Sequence, residues 1–93
     1  MTFVKWIACS VRDDDRGRFG AAQRRWSRIA DQPGLIVQSG GWDSTVPAAC
    51  VLACWTDAQA YRDFMDRRHD QVVADSGQAG TYQAIEVGRA RVS

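Results

Sequence analysis

Phe3-Val4-Lys5-Trp6-Ile7-Ala8-Cys9-Ser10-Val11 is the stretch whose reading decides the fold. β-branched and aromatic side chains dominate it, which marks a strand. One parity carries Phe3, Ile7, Cys9 and Val11, broken by Lys5; the other carries Val4, Trp6 and Ala8. Both faces are mostly apolar, whereas a half-solvated antiparallel strand has one polar face. Something must cover both sides. Residues 48–55 repeat the pattern, with Cys50, Leu52 and Cys54 on one parity and Val51, Ala53 and Trp55 on the other, so this strand is also central.

Between these strands, Asp13, Asp14 and Asp15 supply cap candidates and negative charge at a helix start. Phe19, Ala22, Trp26, Ile29 and Ala30 recur at three- and four-residue spacing, predicting a helix over 16–30 that ends at Pro33-Gly34. Residues 35–38 read as a strand running into Ser39-Gly40-Gly41-Trp42, where paired glycines predict a bulge or a close backbone approach. Residues 43–47 form a turn. Thr56-Asp57-Ala58-Gln59 fits a capping box and opens a second helix over 57–75, with Tyr61, Phe64, Met65, Val72 and Val73 facing inward and Ser76-Gly77 as its stop. Residues 81–87 are the last strand, and Gly88 to Arg91 a short tail.

Strand, helix, two strands, helix, strand is the split βαβ order of a ferredoxin-like α+β unit, a four-stranded antiparallel sheet with both helices on one face. The other face keeps apolar side chains, and an identical sheet is the economical cover. A homodimer joined through the sheet face, a dimeric α/β barrel, is the expectation.

The chain has 93 residues, expected to form one domain over 1–93. Its hydrophobic content of 45% and four tryptophans are a heavy apolar load for that size, consistent with a partner subunit. A net charge of +1 gives no field to recruit nucleic acid or a membrane surface. No apolar run approaches the ~20 residues that span a bilayer, and the first residues alternate like a strand and not like a signal peptide. The three cysteines, Cys9, Cys50 and Cys54, suit buried free thiols in a reducing cytoplasm.

Several stretches together resemble the YdbC-like proteins, small bacterial chains of unassigned function. They are Val4-Lys5-Trp6-Ile7-Ala8-Cys9, Phe19 through Gln23 to Trp26, Pro33-Gly34, Gln38-Ser39-Gly40-Gly41-Trp42, Trp55-Thr56-Asp57, Tyr61, Phe64-Met65, His69-Asp70 and Thr81-Tyr82. The chain also looks like the wider dimeric α/β-barrel superfamily. That group includes cofactor-independent oxygenases of aromatic polyketides, haem-degrading enzymes, isomerases and non-catalytic binding proteins. The resemblance implies the fold and leaves the chemistry open.

His69 is the only histidine and shares a helical side with Met65 and Val72, so its imidazole is a candidate acid or base. The structural alternative is a helix-end histidine bonded to Asp66, Asp70 or a carbonyl. Trp6, Trp42, Trp55, Tyr61, Phe64 and Tyr82 are the candidates to hold a flat aromatic ligand, although tryptophans such as Trp26 also serve as plain core. Cys9 has no base nearby in sequence to make it a nucleophile. Glu86, the only glutamate, sits in the last strand. No zinc-type ligand spacing, phosphate loop or Gly-x-Ser-x-Gly elbow is present. The haem-degrading pattern pairs a first-strand asparagine with a tryptophan and a histidine on the last helix; here that asparagine is missing and Phe64 stands near the tryptophan position. The resemblance to the superfamily, with His69 as the candidate base, implies a small cofactor-independent enzyme of oxygenase, isomerase or cyclase type acting on an aromatic or polycyclic molecule. The alternative is a small-molecule- or haem-binding dimer without chemistry.

Overall fold

The computed structural model describes residues 2–92; Met1 and Ser93, inside the domain bounds expected from the sequence, lie outside the described residues. Four strands, β1 (Thr2–Ser10), β2 (Leu35–Trp42), β3 (Ala48–Trp55) and β4 (Ala84–Val92), form one antiparallel sheet in the order β2-β3-β1-β4. Helices α1 (Arg16–Arg25), α2 (Ala58–Arg67) and α3 (His69–Ser76) connect them. This is the ferredoxin-like α+β arrangement, with the doubly apolar strands β1 and β3 in its centre.

Register explains which side chains go where. β1 pairs Phe3 with Trp55, Lys5 with Ala53 and Cys9 with Ala49, and these odd positions face the helices. There Phe3, Ala53 and Trp55 pack with Ile29, Tyr61, Phe64 and Val72, while Cys9 and Ala49 pack with Val11 and Phe19. The even positions form the outer face. Trp6, opposite Leu52 and Gly88, is 45% exposed and Leu52 is 44% exposed. Val37 and Val92 share that face by register and are also exposed. Glu86, opposite Ala8, points to it as well.

Four local expectations need correction. The first helix is α-helical only to Arg25; Trp26–Ile29 continue it as a 3-10 turn. The bulge in β2 lies between Leu35 and Val37, leaving Ile36 unpaired, and not at the glycines; Gly41 has open space where a Cβ would go. Asp57, not Thr56, caps α2, accepting from Ala60 N at 2.8 Å, and the Gln59 amide bonds Asp63 instead of reaching back. The second helix is broken at Arg68, whose backbone leaves the helical region at φ −135° while its guanidinium is held by Gln32 Oε1 and the Arg28 carbonyl.

The last strand also starts later and runs further than the apolar pattern suggests. Thr81 is buried in a turn, its hydroxyl donating to the Gln78 carbonyl at 2.6 Å, so pairing with β1 begins at Ala84 opposite Ser10. Arg89 and Arg91 remain in the strand because β4 is an edge, where charged side chains stay solvated. The Trp6 indole lies where a Cβ on Gly88 would go, so any larger residue there would have to displace that ring.

Carboxylates stand at two of the connections. Asp43 accepts from the Thr45 hydroxyl and from the Thr45 and Val46 amides, which holds its carboxyl below the usual range in the β2–β3 connection. Asp15 is lowered mainly by its hydrogen bond from Arg18 at the start of α1. Among the described residues no helix is long and apolar enough to cross a membrane.

Gly34 joins the helical layer to the sheet. It adopts φ +84°, its carbonyl accepts from Thr56 N at 2.8 Å, and an added Cβ would fall 2.3 Å from Ala60 Cβ. Gly34→Ala combines a left-handed backbone with overpacking of α2, so it is expected to cost about 2–4 kcal/mol in urea unfolding. A loss below about 0.5 kcal/mol, the range of ordinary surface substitutions, would show that the contact relaxes freely.

Candidate functional site

A cavity of about 430 Å³ lies between the sheet and the helices. Ile7 and Lys5 of β1 and Ala53 of β3 form its floor. Met65 at the end of α2 and His69 and Val73 on α3 form one wall, and Trp26 from the 3-10 turn forms another. Ile85 and Val87 face the helix side of β4 yet stay exposed, because the helices stop short of this edge strand. The cavity therefore opens toward β4, with Tyr82 beside the opening.

His69 is the first residue after the break at Arg68, and its side chain is 23% exposed. Its ring lies against Trp26 (centroids 5.9 Å apart) and edge-on to Phe64 (6.0 Å). Nδ1 is 3.1 Å from Asp70 Oδ1, leaving Nε2 without a protein partner among the described residues. A carboxylate on Nδ1 favours the tautomer with its proton there, which makes Nε2 the acceptor. The chemistry open to this arrangement is proton transfer to or from a group in the cavity.

The Trp26 wall is fixed by polar contacts rather than by packing alone. Its indole Nε1 donates to Gln78 Oε1 at 3.1 Å, and Gln78 Nε2 donates to Gln23 Oε1 at 2.8 Å, tying the end of α1 to the turn after α3. Gln78 is buried, so this network needs every member satisfied. Lys5 reaches in from the floor. Its Nζ is 4.0 Å from Met65 Sδ and 5.3 Å from the centre of the Tyr61 ring.

Of the residues expected from the sequence, the structure brings His69, Tyr61 and Tyr82 to this cavity. Trp55 and Phe64 are core residues at 2% and 3% exposure, stacked on each other at 5.3 Å; Phe64 backs the His69 ring without lining the space. Trp55 Nε1 is buried with no hydrogen-bond partner among the described residues. Trp6 is on the opposite face of the sheet. Trp42 ends β2 in a separate, open groove of about 710 Å³ beside α1, edge-on to Phe19 and with the Arg16 guanidinium 4.1 Å from its ring centre. The idea of one pocket floored by several tryptophans is thus replaced by one wall, Trp26. That residue read as plain core because its stripe position gives no hint that helical cover ends beside it. Lys5 and Arg89 were also missed as lining residues, although Lys5 had left a trace as the single break in the apolar parity of β1.

The fold and this cavity place the chain in the class of small ferredoxin-like proteins with space between sheet and helices. Among solved structures it is similar to SnoaB, a cofactor-independent oxygenase from Streptomyces nogalater, with a TM-score of 0.78, 18% identity and coverage of 99% of this chain and 93% of the other. It is also similar to a dimeric ferredoxin-like protein of unknown function from Jannaschia sp. CCS1, with a TM-score of 0.80, 13% identity and coverage of 99% and 100%. Residues 3–89 match the family described as a domain of unknown function, DUF4937, and the chain belongs to that family. Uncharacterized protein YdbC of Bacillus subtilis (strain 168) is 30% identical over 87 residues, 90% of this chain and 73% of the relative. The resemblance to YdbC-like chains read from the motifs agrees with this match.

Cys9 also borders the cavity but is 2% exposed. Burial, with a smaller contribution from Cys50, pushes its thiol above the usual value, which suppresses the reactive thiolate. At pH 8 iodoacetamide should leave Cys9 unmodified in the folded protein and label it once urea is added, as read by peptide mass spectrometry. Rapid labelling without urea would make Cys9 a nucleophile candidate again.

Proposed function

We propose that the protein is a cytoplasmic homodimer of one-domain protomers, each acting as a small cofactor-independent enzyme on an aromatic or polycyclic molecule held in the cavity beside His69. The carrying observation is the juxtaposition of an imidazole, oriented by Asp70 and free at Nε2, with the indole of Trp26 and the rings of Tyr61 and Tyr82 around one space. Nε2 removes a proton from the bound molecule, and the resulting anion isomerises, cyclises or reduces oxygen with the substrate's own electrons. Trp26 and the tyrosines hold the flat rings and keep water from the anion. The likeness of the fold to a cofactor-independent oxygenase supports this reaction class.

Dimerisation is supported by the exposed outer face around Trp6 and Leu52 and by the likeness to a dimeric ferredoxin-like protein. The near-neutral charge gives no support to a nucleic-acid or membrane partner. Free cysteines agree with a reducing compartment.

2-Tetralone, a bicyclic ketone with acidic C–H groups, tests the proton transfer in D₂O. Deuterium incorporation followed by mass spectrometry should exceed the buffer rate, and His69→Ala should reduce the protein-dependent rate by about 100-fold or more, the usual worth of a positioned base. An unchanged rate in His69→Ala would remove the assigned base. Binding of the ketone without exchange would favour the non-catalytic binding protein.

A further inference from the structure

The cavity collects positive charge that no acidic side chain among its described lining residues balances. Lys5, the only lysine of the chain, is half-buried on its floor. Its contacts among the described residues, the Met65 thioether and the face of the Tyr61 ring, bring no negative charge of their own beyond the ring quadrupole. Directly across the β1–β4 ladder stands Arg89, on the same face and also lining the cavity. Like charges opposite each other on neighbouring strands are destabilising. Withdrawing an ammonium from water without a counter-charge adds a further cost.

The missing carboxylate does not reflect a shortage in the chain, which has 11 acidic residues against 12 basic ones. None of the residues lining the cavity is Asp or Glu. Asp70, the carboxylate in contact with a lining residue, is fully exposed and bonded to His69. Glu86 sits beside Val87 in sequence but points to the other face of the sheet. A bound anion is the partner that this arrangement lacks.

We propose that the ligand of this cavity is an aromatic acid, a planar ring system bearing a carboxylate that pairs with Lys5, with Arg89 adding to the field from the rim. The inference rests on the reading of the cavity as the binding site and adds the charge of its occupant. The apolar side chains of Ile7, Val73 and Val87 and the Trp26 indole suit the rings. One ammonium and one exposed guanidinium suit a monoanion; a phosphate group is held by several converging donors. Lys5 is thus a residue that selects the ligand by charge.

Calorimetry with 2-naphthoate and the neutral isostere 2-naphthamide tests this on the full chain. Wild-type protein should bind naphthoate tenfold or more tightly than naphthamide. Lys5→Met should abolish that preference by weakening naphthoate alone, and Lys5→Arg should keep most of it. Because Lys5 is the only lysine, reductive methylation with ¹³C-formaldehyde gives it one side-chain NMR signal, separable from that of the terminal amine. In unmutated protein that signal should shift with naphthoate and stay in place with naphthamide. Equal binding of both probes would overturn the charge assignment while leaving the cavity as a binding site. Failure of both to bind would remove the cavity reading together with this inference. A preference that survives in Lys5→Met, or a naphthoate complex that leaves the lysine signal unmoved, would overturn the role of Lys5.

Discussion

Helices α1 to α3 can bury only the face of the sheet that carries Phe3, Ala49 and Trp55. The central strands are apolar on the other face too, where Trp6 and Leu52 lie side by side and Val37 and Val92 extend the patch toward the two edges. Fully burying a large apolar side chain contributes about 1.5–3 kcal/mol, and these residues, each about half exposed, forgo roughly half of that apiece in water. Most features of the protein follow from this one-sided cover. Gly88 leaves room for the Trp6 indole at the centre of the outer face.

The same helices also fail to reach β4, and that shortfall creates the cavity. Ile85 and Val87 are on the helix side but lie beyond helical cover, and Lys5, Trp26 and His69 converge on the space left open. The break at Arg68 contributes, because His69 starts a new helix there instead of continuing α2. Phe64 anchors this region from below: it packs on Trp55 in the core and on His69 at the cavity, so the position of the imidazole depends on the packing of the sheet. Candidate chemistry and core packing meet at one ring.

The element order, the central place of β1 and β3 and the family were legible in the sequence, since alternating apolar residues and helical stripes are local signals that tertiary contacts here reinforce. The boundaries of β4 were not legible. They depend on Thr81 turning back to the Gln78 carbonyl and on charged residues tolerated at an edge, neither of which has a hydrophobic period. The break at Arg68 depends on partners 36 and 40 residues away, Gln32 and Arg28. For the site, the sequence singled out His69, Tyr61 and Tyr82 but grouped tryptophans by type. Which face each indole takes is a matter of strand register: Trp6 and Trp55, both in central strands, fall on opposite sides because one is at an even and the other at an odd position of the paired ladder.

We propose that a second copy of the chain covers the outer sheet face, and the mass in solution decides whether it does. Sedimentation equilibrium at micromolar concentration should give twice 10.3 kDa, and Trp6→Arg, which places a charge at the centre of that face, should give the single mass while keeping the far-ultraviolet circular dichroism of the fold. A wild-type protein that remains a 10.3 kDa monomer would leave Trp6 in water and show that no second copy covers this face.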